Sequence, residues 1–183
     1  MDGKMIFVDL LAVMVSMQLC GFVHCENKKP RLTVTSSAFI EGGMIPSKHG
    51  AAHENVSPAI AWSGIPETAK TIALICDDPD APGGDWVHWV IFNIPAAESG
   101  LPENVLKQGR LENGAVQGVN DSREIGYDGP MPPSGIHRYY FKVFALDTRI
   151  DLPAGSSKKN LLKAMFGHIL AEGQLMGTFK KGN

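Results

Sequence analysis

An acidic turn near the middle of the sequence holds the side chains with the clearest potential for chemistry. It reads Asp-Asp-Pro-Asp-Ala-Pro over residues 77–82, and a histidine follows at His88 on an apolar stretch. Because proline fixes φ, the turn is expected to be rigid and to hold the carboxylates of Asp78 and Asp80 in fixed directions beside Pro82. Two other interpretations stay open. Each aspartate could bond only its own turn, and His88 could be a sheet histidine whose hydrogen bonds are satisfied.

A second turn, rich in glycine and proline, leads into an alternating strand. It begins with Gly129 and Pro130, and the strand that follows carries His137, Arg138 and Tyr139. Side chains two residues apart lie on the same face of a strand, so His137 and Tyr139 share one face. Arg138 then points the other way, where we expect it to be an ion-pair partner. Taken alone, His137 and Tyr139 would equally fit cross-strand packing.

Together the two turns predict one small pocket, provided that they face each other in the fold. The carboxylate of Asp78 or Asp80 should then lie within hydrogen-bonding distance of His88 or His137, directly or through one water. Imidazole N–H groups and free amides of the Gly/Pro turn would donate to the oxygens of a phosphate group. The aspartates would orient these donors or accept from an ammonium group, so a zwitterionic ligand would satisfy both halves.

Four ordered segments of the sequence resemble the phosphatidylethanolamine-binding protein family, in particular its bacterial, Raf-kinase-inhibitor-like branch. They are D-P-D-A-P at 78–82, the histidine at 88, G-P-x-P-P-x-G-x-H-R-Y at 129–139, and N-V-S-P at 55–58 leading to W-S-G-I-P at 62–66. The resemblance extends from about Leu32 to Phe179. It implies a small site for phosphate or a phosphorylated head group, with no cofactor and no metal. The residues that match the lining of that site are Asp78, Asp80, Pro82, His88, Gly129, Pro130, His137 and Tyr139.

The resemblance also implies a mostly β fold, with a large central antiparallel sheet, a smaller flanking sheet and a few peripheral helices. The sequence pattern agrees, because alternating or continuously apolar runs predict strands at 32–36, 59–62, 71–76, 87–94, 139–146 and 174–179. The run from Ile72 to Ile75 is apolar throughout, which predicts a central strand covered on both faces.

One helix is predicted near the C-terminus. Ser156 or Ser157 could cap its start, and apolar residues recur with a period near 3.6 from Leu161 to Leu170. Gly173 lies where a helix would be expected to end. A weaker helical turn is predicted at 102–108.

Length and composition fit a single soluble domain. The 183 residues are 44% hydrophobic and 20% charged, with a formal net charge of −2. The lysine pairs are short and scattered, so no basic stripe favours nucleic acid as a partner. Cys76 lies beside two aspartates, which would not activate a thiol, and it is expected to be a buried strand residue.

The first 25 residues differ from the rest of the sequence. Lys4 precedes an apolar stretch, Leu10–Val23, which is short for a membrane span and is followed by the polar Glu26–Lys29. This order is typical of a secretory signal peptide, whose removal would leave residues 26–183 as one domain in the periplasm or outside the cell. An uncleaved membrane anchor and a cytoplasmic protein with a misassigned start or a disordered tail are the alternatives.

These observations favour a non-catalytic binding protein for a small phosphorylated or anionic ligand. A rival hypothesis is a metal-dependent phosphoesterase, in which Asp78, Asp80, His88 and His137 would hold a divalent cation. The resemblance also leaves open an inhibitor that binds a kinase or a serine protease through a protein interface. Formation of a homodimer is a further open possibility.

Overall fold

The computed structural model of the protein describes residues 30–182, so the predicted signal peptide at 1–25 lies outside the described residues. Within the described range the chain forms eight strands, one α-helix and one short 3₁₀ turn at Ser47–His49. The strands and the helix are β1 (Thr33–Thr35), β2 (Ile60–Ser63), β3 (Thr71–Asp78), β4 (Trp86–Pro95), β5 (Gly100–Leu101), β6 (Val116–Gln117), β7 (Ile136–Leu146), α1 (Lys158–Met165) and β8 (Ile169–Lys180).

Two antiparallel sheets make up the fold. The larger has five strands in the order β6-β4-β3-β7-β8, and the smaller has three in the order β1-β2-β5. The predicted fold, a large antiparallel sheet with a smaller flanking sheet, is confirmed. β3 lies in the middle of the larger sheet with all eight of its residues buried, as the apolar run from Ile72 to Ile75 predicts. Among residues 30–182, no helix combines the length and apolar character needed to cross a membrane.

Apolar side chains fill both sides of β3. Leu74, Cys76 and their neighbours belong to a core that also contains Trp62 of the smaller sheet. On the opposite face, Ala73 and Ile75 pack in a second core with residues of α1. Cys76 is therefore a buried strand residue, as predicted, and burial raises the pKa of its thiol.

A buried charge lies on the helix face of β3. The carboxylate of Asp77 is fully buried and accepts hydrogen bonds from the ammonium groups of Lys142 on β7, at 2.7 Å, and of Lys158 on α1, at 2.6 Å. Lys158 also pairs with Asp85. The pairs tie the central strand to its neighbour and to the helix. The charge of Asp77 is thus compensated where burial alone would be costly.

The C-terminal helix is shorter than predicted. The hydroxyl of Ser157 accepts a hydrogen bond from the Asn160 amide and caps the helix, which ends at Met165. Gly167 then adopts a φ of +84°, a left-handed conformation that ends the helix before Gly173 is reached. Gly173 itself lies in β8, where a Cβ would come within 2.3 Å of the Leu32 carbonyl oxygen. Its role is close packing of two backbone segments, and its assignment as a helix end was wrong.

The helical turn predicted at 102–108 is also wrong. Residues 102–108 form no helix in the structure. The amide of Asn104 donates to the Ser57 carbonyl, and the amide of Val105 donates to the Ser57 hydroxyl. These amides are therefore bonded to a remote segment. Asn104 also has a φ of +60°, which is incompatible with a right-handed turn.

Candidate functional site

One end of the larger sheet gathers the predicted site residues. Asp78, the last residue of β3, pairs with Trp86 at the start of β4, and its neighbour Asp77 pairs with Tyr140 on β7. His137 and Tyr139 are buried while Arg138 between them is exposed, so the predicted alternation on β7 is confirmed. The three strands and the loop before β7 enclose a cavity of about 220 Å³, lined by Asp78, Ala81, Pro82, Trp86, His88, Ser122, Asp128, Gly129, Met131, Pro132, Pro133, His137 and Tyr139.

A buried carboxylate orients the first imidazole. Oδ2 of Asp78 accepts a hydrogen bond from Nδ1 of His137 over 2.7 Å, and Oδ1 accepts the amide of Asp80 over 2.8 Å. Asp78 and His137 are only 3% and 7% exposed. Since a carboxylate can only accept, Nδ1 carries the proton, and Nε2 is the ring nitrogen left for a ligand. The predicted contact between the acidic turn and a histidine is confirmed by this pair.

A backbone carbonyl orients the second imidazole. Nδ1 of His88 donates to the carbonyl oxygen of Asp128 over 2.7 Å. Burial lowers the pKa of His88 below its ordinary value, although the bond to Asp128 and the charge of Asp78 act in the opposite direction. Burial therefore favours the neutral ring, in which Nδ1 carries the proton and Nε2 carries a lone pair. The only N–H of the neutral His88 ring is therefore bonded to the protein itself. This arrangement differs from the expectation that both imidazoles donate hydrogen bonds to an anion.

The phenol of Tyr139 completes the polar side of the cavity. Its ring lies edge-on to the His88 ring, with centroids 5.1 Å apart. The residue is 1% exposed, and its hydroxyl makes no hydrogen bond of normal length and angle among the described residues, although the Asp78 carboxylate lies close enough to interact with it. Burial raises the pKa of Tyr139, and the negative charge of Asp78 raises it further. The hydroxyl consequently keeps its proton and is a hydrogen-bond donor at the cavity, with only a weak contact to the Asp78 carboxylate.

Asp80 belongs to a different contact. Its carboxylate forms two parallel hydrogen bonds with the guanidinium of Arg138, at 2.7 and 2.9 Å, and also accepts the Arg138 amide. The guanidinium lowers the pKa of Asp80 to about 2. Arg138 is thus the ion-pair partner that its place on the strand predicts. Asp80 does not line the cavity, contrary to the sequence prediction, because Arg138 holds it at the outer face of β7.

The Gly/Pro turn that begins at Gly129 offers the cavity fewer backbone N–H donors than its sequence suggests. The amide of Gly129 is bonded to Oδ1 of Asn55 at 2.8 Å and is not free for a ligand. Three prolines in the following five residues have no N–H. Gly129 is required because a Cβ there would lie 2.1 Å from the carbonyl oxygen of His49. Pro130 does not line the cavity, and its carbonyl accepts the amide of Ala51.

Comparison with known proteins identifies the family. Residues 35–180 match the family model described as phosphatidylethanolamine-binding protein. The chain belongs to the phosphatidylethanolamine-binding protein family. It is 53% identical to a UPF0098 protein of the archaeon Methanothermobacter thermautotrophicus over 151 residues, which cover 82% of this chain and 100% of that protein. A UPF0098 protein of Chlamydia trachomatis is 41% identical over 155 residues, covering 82% of this chain and 99% of that protein.

Solved structures of family members have the same fold. A crystal structure of a phosphatidylethanolamine-binding protein homologue from Chlamydia trachomatis superposes with a TM-score of 0.76 and 40% identity, covering 82% of this chain and 98% of that chain. YbcL of E. coli, described as a new member of the mammalian phosphatidylethanolamine-binding protein family, gives a TM-score of 0.74 at 34% identity, with the same two coverages.

Three further residues support the site through hydrogen bonds: Asn55, Ser122 and Asp128. None of them was predicted to line it. Asn55 donates to Oδ1 of Asp128 at 3.0 Å while it accepts the Gly129 amide, and the hydroxyl of Ser122 bonds the other oxygen of Asp128. Asn55 has a φ of +54°, a conformation that asparagine tolerates better than most residues. Its place in the N-V-S-P motif was the available signal. No motif in the sequence around Ser122 or Asp128 indicates that these residues belong to the site.

The four residues of the metal hypothesis do not converge. Asp78 and His137 bond each other, while Asp80 is held by Arg138 on another face. Within residues 30–182, no group of three or more His, Cys, Asp or Glu side chains has an arrangement suited to a metal ion.

Proposed function

We propose that the cavity binds a small phosphorylated or other anionic group and that the protein does not catalyse a reaction on it. One observation carries the proposal: the buried hydroxyl of Tyr139 makes no hydrogen bond of normal length and angle, the nearby Asp78 carboxylate included, and Tyr139 lines the same cavity as His88 and His137. A buried donor without a partner costs about 1–3 kcal/mol. A ligand oxygen bonded to that hydroxyl would recover this free energy.

The size of the cavity favours a head group over a larger molecule. Pockets for drug-sized ligands measure roughly 300–1,000 Å³, whereas this cavity measures about 220 Å³. Family membership supports a phosphorylated head group as the natural candidate. Phosphoethanolamine is therefore the probe of choice.

The charges around the cavity favour a zwitterion. No lysine or arginine is among the described residues that line the cavity. Two acidic residues, Asp78 and Asp128, do line it. The imidazole of His137, paired with Asp78, can balance an anion once it is protonated. Asp128 can accept from an ammonium group through the lone pairs that Ser122 and Asn55 leave free.

The rim of the cavity is apolar. Trp86 is 41% exposed and Met131 is 68% exposed, and both line the opening together with Pro132 and Pro133. The carbon atoms of a head group, or its ammonium placed on the face of the indole, can contact this rim. The polar end of the ligand would then lie deepest, beside Tyr139.

Calorimetric titration with phosphoethanolamine tests the proposal. Replacement of His137 with alanine removes a charge-assisted hydrogen bond of about 1.5–3 kcal/mol and should weaken binding about 10- to 150-fold. The matched control is His168→Ala, because His168 also donates through Nδ1 to an aspartate, Asp147, at 2.8 Å, but both residues are exposed and outside the cavity. The control should bind as the wild type does. Equal affinities of all three proteins, or no binding by any of them, would contradict the proposal.

A further inference from the structure

We propose that Met131 is a site of reversible oxidation by peroxides and that its sulfoxide weakens the binding of a ligand in the cavity. Oxidation of Met131 does not depend on what the cavity binds, whereas the effect on affinity rests on the proposed function. The oxidants belong to one chemical class, hydrogen peroxide and organic hydroperoxides. Met131 thereby makes ligand binding sensitive to the oxidation state of the surroundings.

The side chain of Met131 is accessible to an oxidant. Its exposed fraction is 68%, compared with 44% for Met44 and 0% for Met165, and Met176 is half-buried. Within residues 30–182, no other methionine is as exposed. Oxidation requires contact between the thioether sulfur and the oxidant, so susceptibility follows exposure. Among these methionines, Met131 is therefore expected to react first.

The thiol that could compete for a peroxide is shielded. Cys76 is the one cysteine in the described part of the chain, and it is 1% exposed. Burial also raises the pKa of its thiol. Because the thiolate is the form of cysteine that reacts, Cys76 is inert. Met131 is thus the sulfur-containing side chain of residues 30–182 that a peroxide reaches most readily.

Met131 lies where a change in polarity affects the cavity. It lines the cavity together with Pro132 and Pro133. The same three residues line an adjoining groove of about 590 Å³, which also contains Ala52 and Phe179. Met131 therefore belongs to the wall that the cavity and the groove share, and a polar atom added to its side chain enters the apolar rim described above.

The backbone holds Met131 at this wall. Pro130 precedes it and Pro132 follows it, and both prolines have a fixed φ. The residue before a proline is itself restricted to extended conformations, which applies here to Met131. The carbonyl oxygen of Pro130 also accepts the amide of Ala51 at 3.0 Å. These restraints keep an oxidised Met131 side chain at the shared wall.

The reaction is a transfer of one oxygen atom and two electrons. The thioether sulfur attacks one oxygen of hydrogen peroxide, so that an S–O bond forms while the O–O bond breaks. The proton of the attacked oxygen passes to the departing hydroxide, which leaves as water. Sulfur is oxidised to the sulfoxide, and the peroxide is reduced. The sulfoxide is polar where the thioether was apolar, so the rim loses apolar contact with the carbon atoms of a ligand.

Peptide mapping by mass spectrometry of the full chain, treated with hydrogen peroxide, tests the site. Met131 should be oxidised at least about tenfold faster than Met165, with Met44 between them. Calorimetric titration then compares the affinity for phosphoethanolamine before and after treatment. The affinity should fall at least about threefold, close to the factor that corresponds to the burial of one methylene group. Methionine sulfoxide reductase should restore it.

Two variants isolate the contribution of Met131. The affinity of Met131→Leu should be the same before and after peroxide treatment, because leucine has no sulfur, while Met44→Leu should lose affinity as the wild type does. Oxidation of Met131 no faster than that of Met165, or equal affinities of the untreated and oxidised wild type, would overturn the inference and leave the proposed function intact. A loss of affinity in peroxide-treated Met131→Leu equal to that of the wild type would also overturn it. No binding by the untreated wild type would contradict both the proposed function and the effect on affinity.

Discussion

Asp78 and His137 are 59 positions apart in the sequence, and their side chains meet over 2.7 Å in a buried hydrogen bond at one end of the larger sheet. The contact exists because β3 and β7 are paired neighbours and because His137 is on the inner face of β7. It fixes which nitrogen of His137 remains for a ligand. The pair is thus the structural link between the acidic turn and the cavity.

Replacement of Asp78 with asparagine tests this link. Asparagine can still accept the Asp80 amide, but it no longer neutralises a protonated His137. We expect phosphoethanolamine to bind at least about tenfold more weakly, because a hydrogen bond to a charged group contributes about 1.5–3 kcal/mol. Calorimetric titration measures the change. Asp147→Asn, which alters the exposed pair with His168, is the matched control, and a similar loss of affinity in that variant would refute the assignment.

Tyr139→Phe should have opposite effects on stability and on binding. The change removes a buried hydroxyl that makes no hydrogen bond of normal length and angle, its contact with the Asp78 carboxylate being weak. The free energy of unfolding should therefore stay unchanged or rise by roughly 1 kcal/mol, while affinity for phosphoethanolamine should fall about tenfold. Urea unfolding and calorimetry measure the two quantities. A large loss of stability with unchanged affinity would mean that the hydroxyl has a structural role.

The ion pair between Asp80 and Arg138 predicts a pH dependence. The pKa of Asp80 is lowered to about 2 in the folded protein, and its unfolded value is about 3.9. A carboxyl group with a depressed folded pKa stabilises the fold above its unfolded pKa, and this contribution is lost as the pH falls from about 3.9 towards 2. In Arg138→Ala, the Asp80 pKa measured by carbon NMR should return towards 3.9. The stability difference between the variant and the wild type should shrink with decreasing pH. A pKa that stays near 2 in the variant would contradict the ion-pair cause.

Asp77 predicts a stability effect that is independent of the site. Replacement with alanine removes the buried partner of Lys142 and Lys158 and should lower the free energy of unfolding by about 1.5–3 kcal/mol, the contribution of hydrogen bonds to a charged group. Asp85→Ala removes an exposed partner of Lys158 and should cost less than about 1 kcal/mol. Urea unfolding of the Asp77→Ala and Asp85→Ala variants measures the two losses of stability. Affinity for phosphoethanolamine should persist in both folded variants, because Asp77 faces α1 and not the cavity. Equal stability losses would contradict the assignment of the buried pair.

Local patterns in the sequence predicted much of the fold and part of the site. The apolar run at Ile72–Ile75 identifies a central strand, because only a strand covered on both faces can be apolar throughout. The spacing of His137 and Tyr139 predicts their common face, since side chains alternate along a strand. Both inferences depend on the backbone geometry of a single element.

Features that depend on remote partners were missed. The apolar period of 3.6 continues through Ile169 and Leu170, but Gly167 ends the helix and pairing with β7 makes this segment a strand. Asp80 was assigned to the cavity because nothing in its turn reveals that Arg138, 58 residues away, holds it outside. Asn55 bonds Asp128 and Gly129 across more than 70 positions. Such contacts become visible only once the strands are in register.

The most direct test of the central claim is nitrogen NMR of the histidine rings during titration with phosphoethanolamine. We predict that the Nε2 resonances of His88 and His137 shift with one saturating curve, whose midpoint agrees with the calorimetric affinity, while those of the exposed His168 stay in place. Saturable binding that leaves the rings of His88 and His137 unperturbed would show that the anion binds elsewhere and would contradict the account.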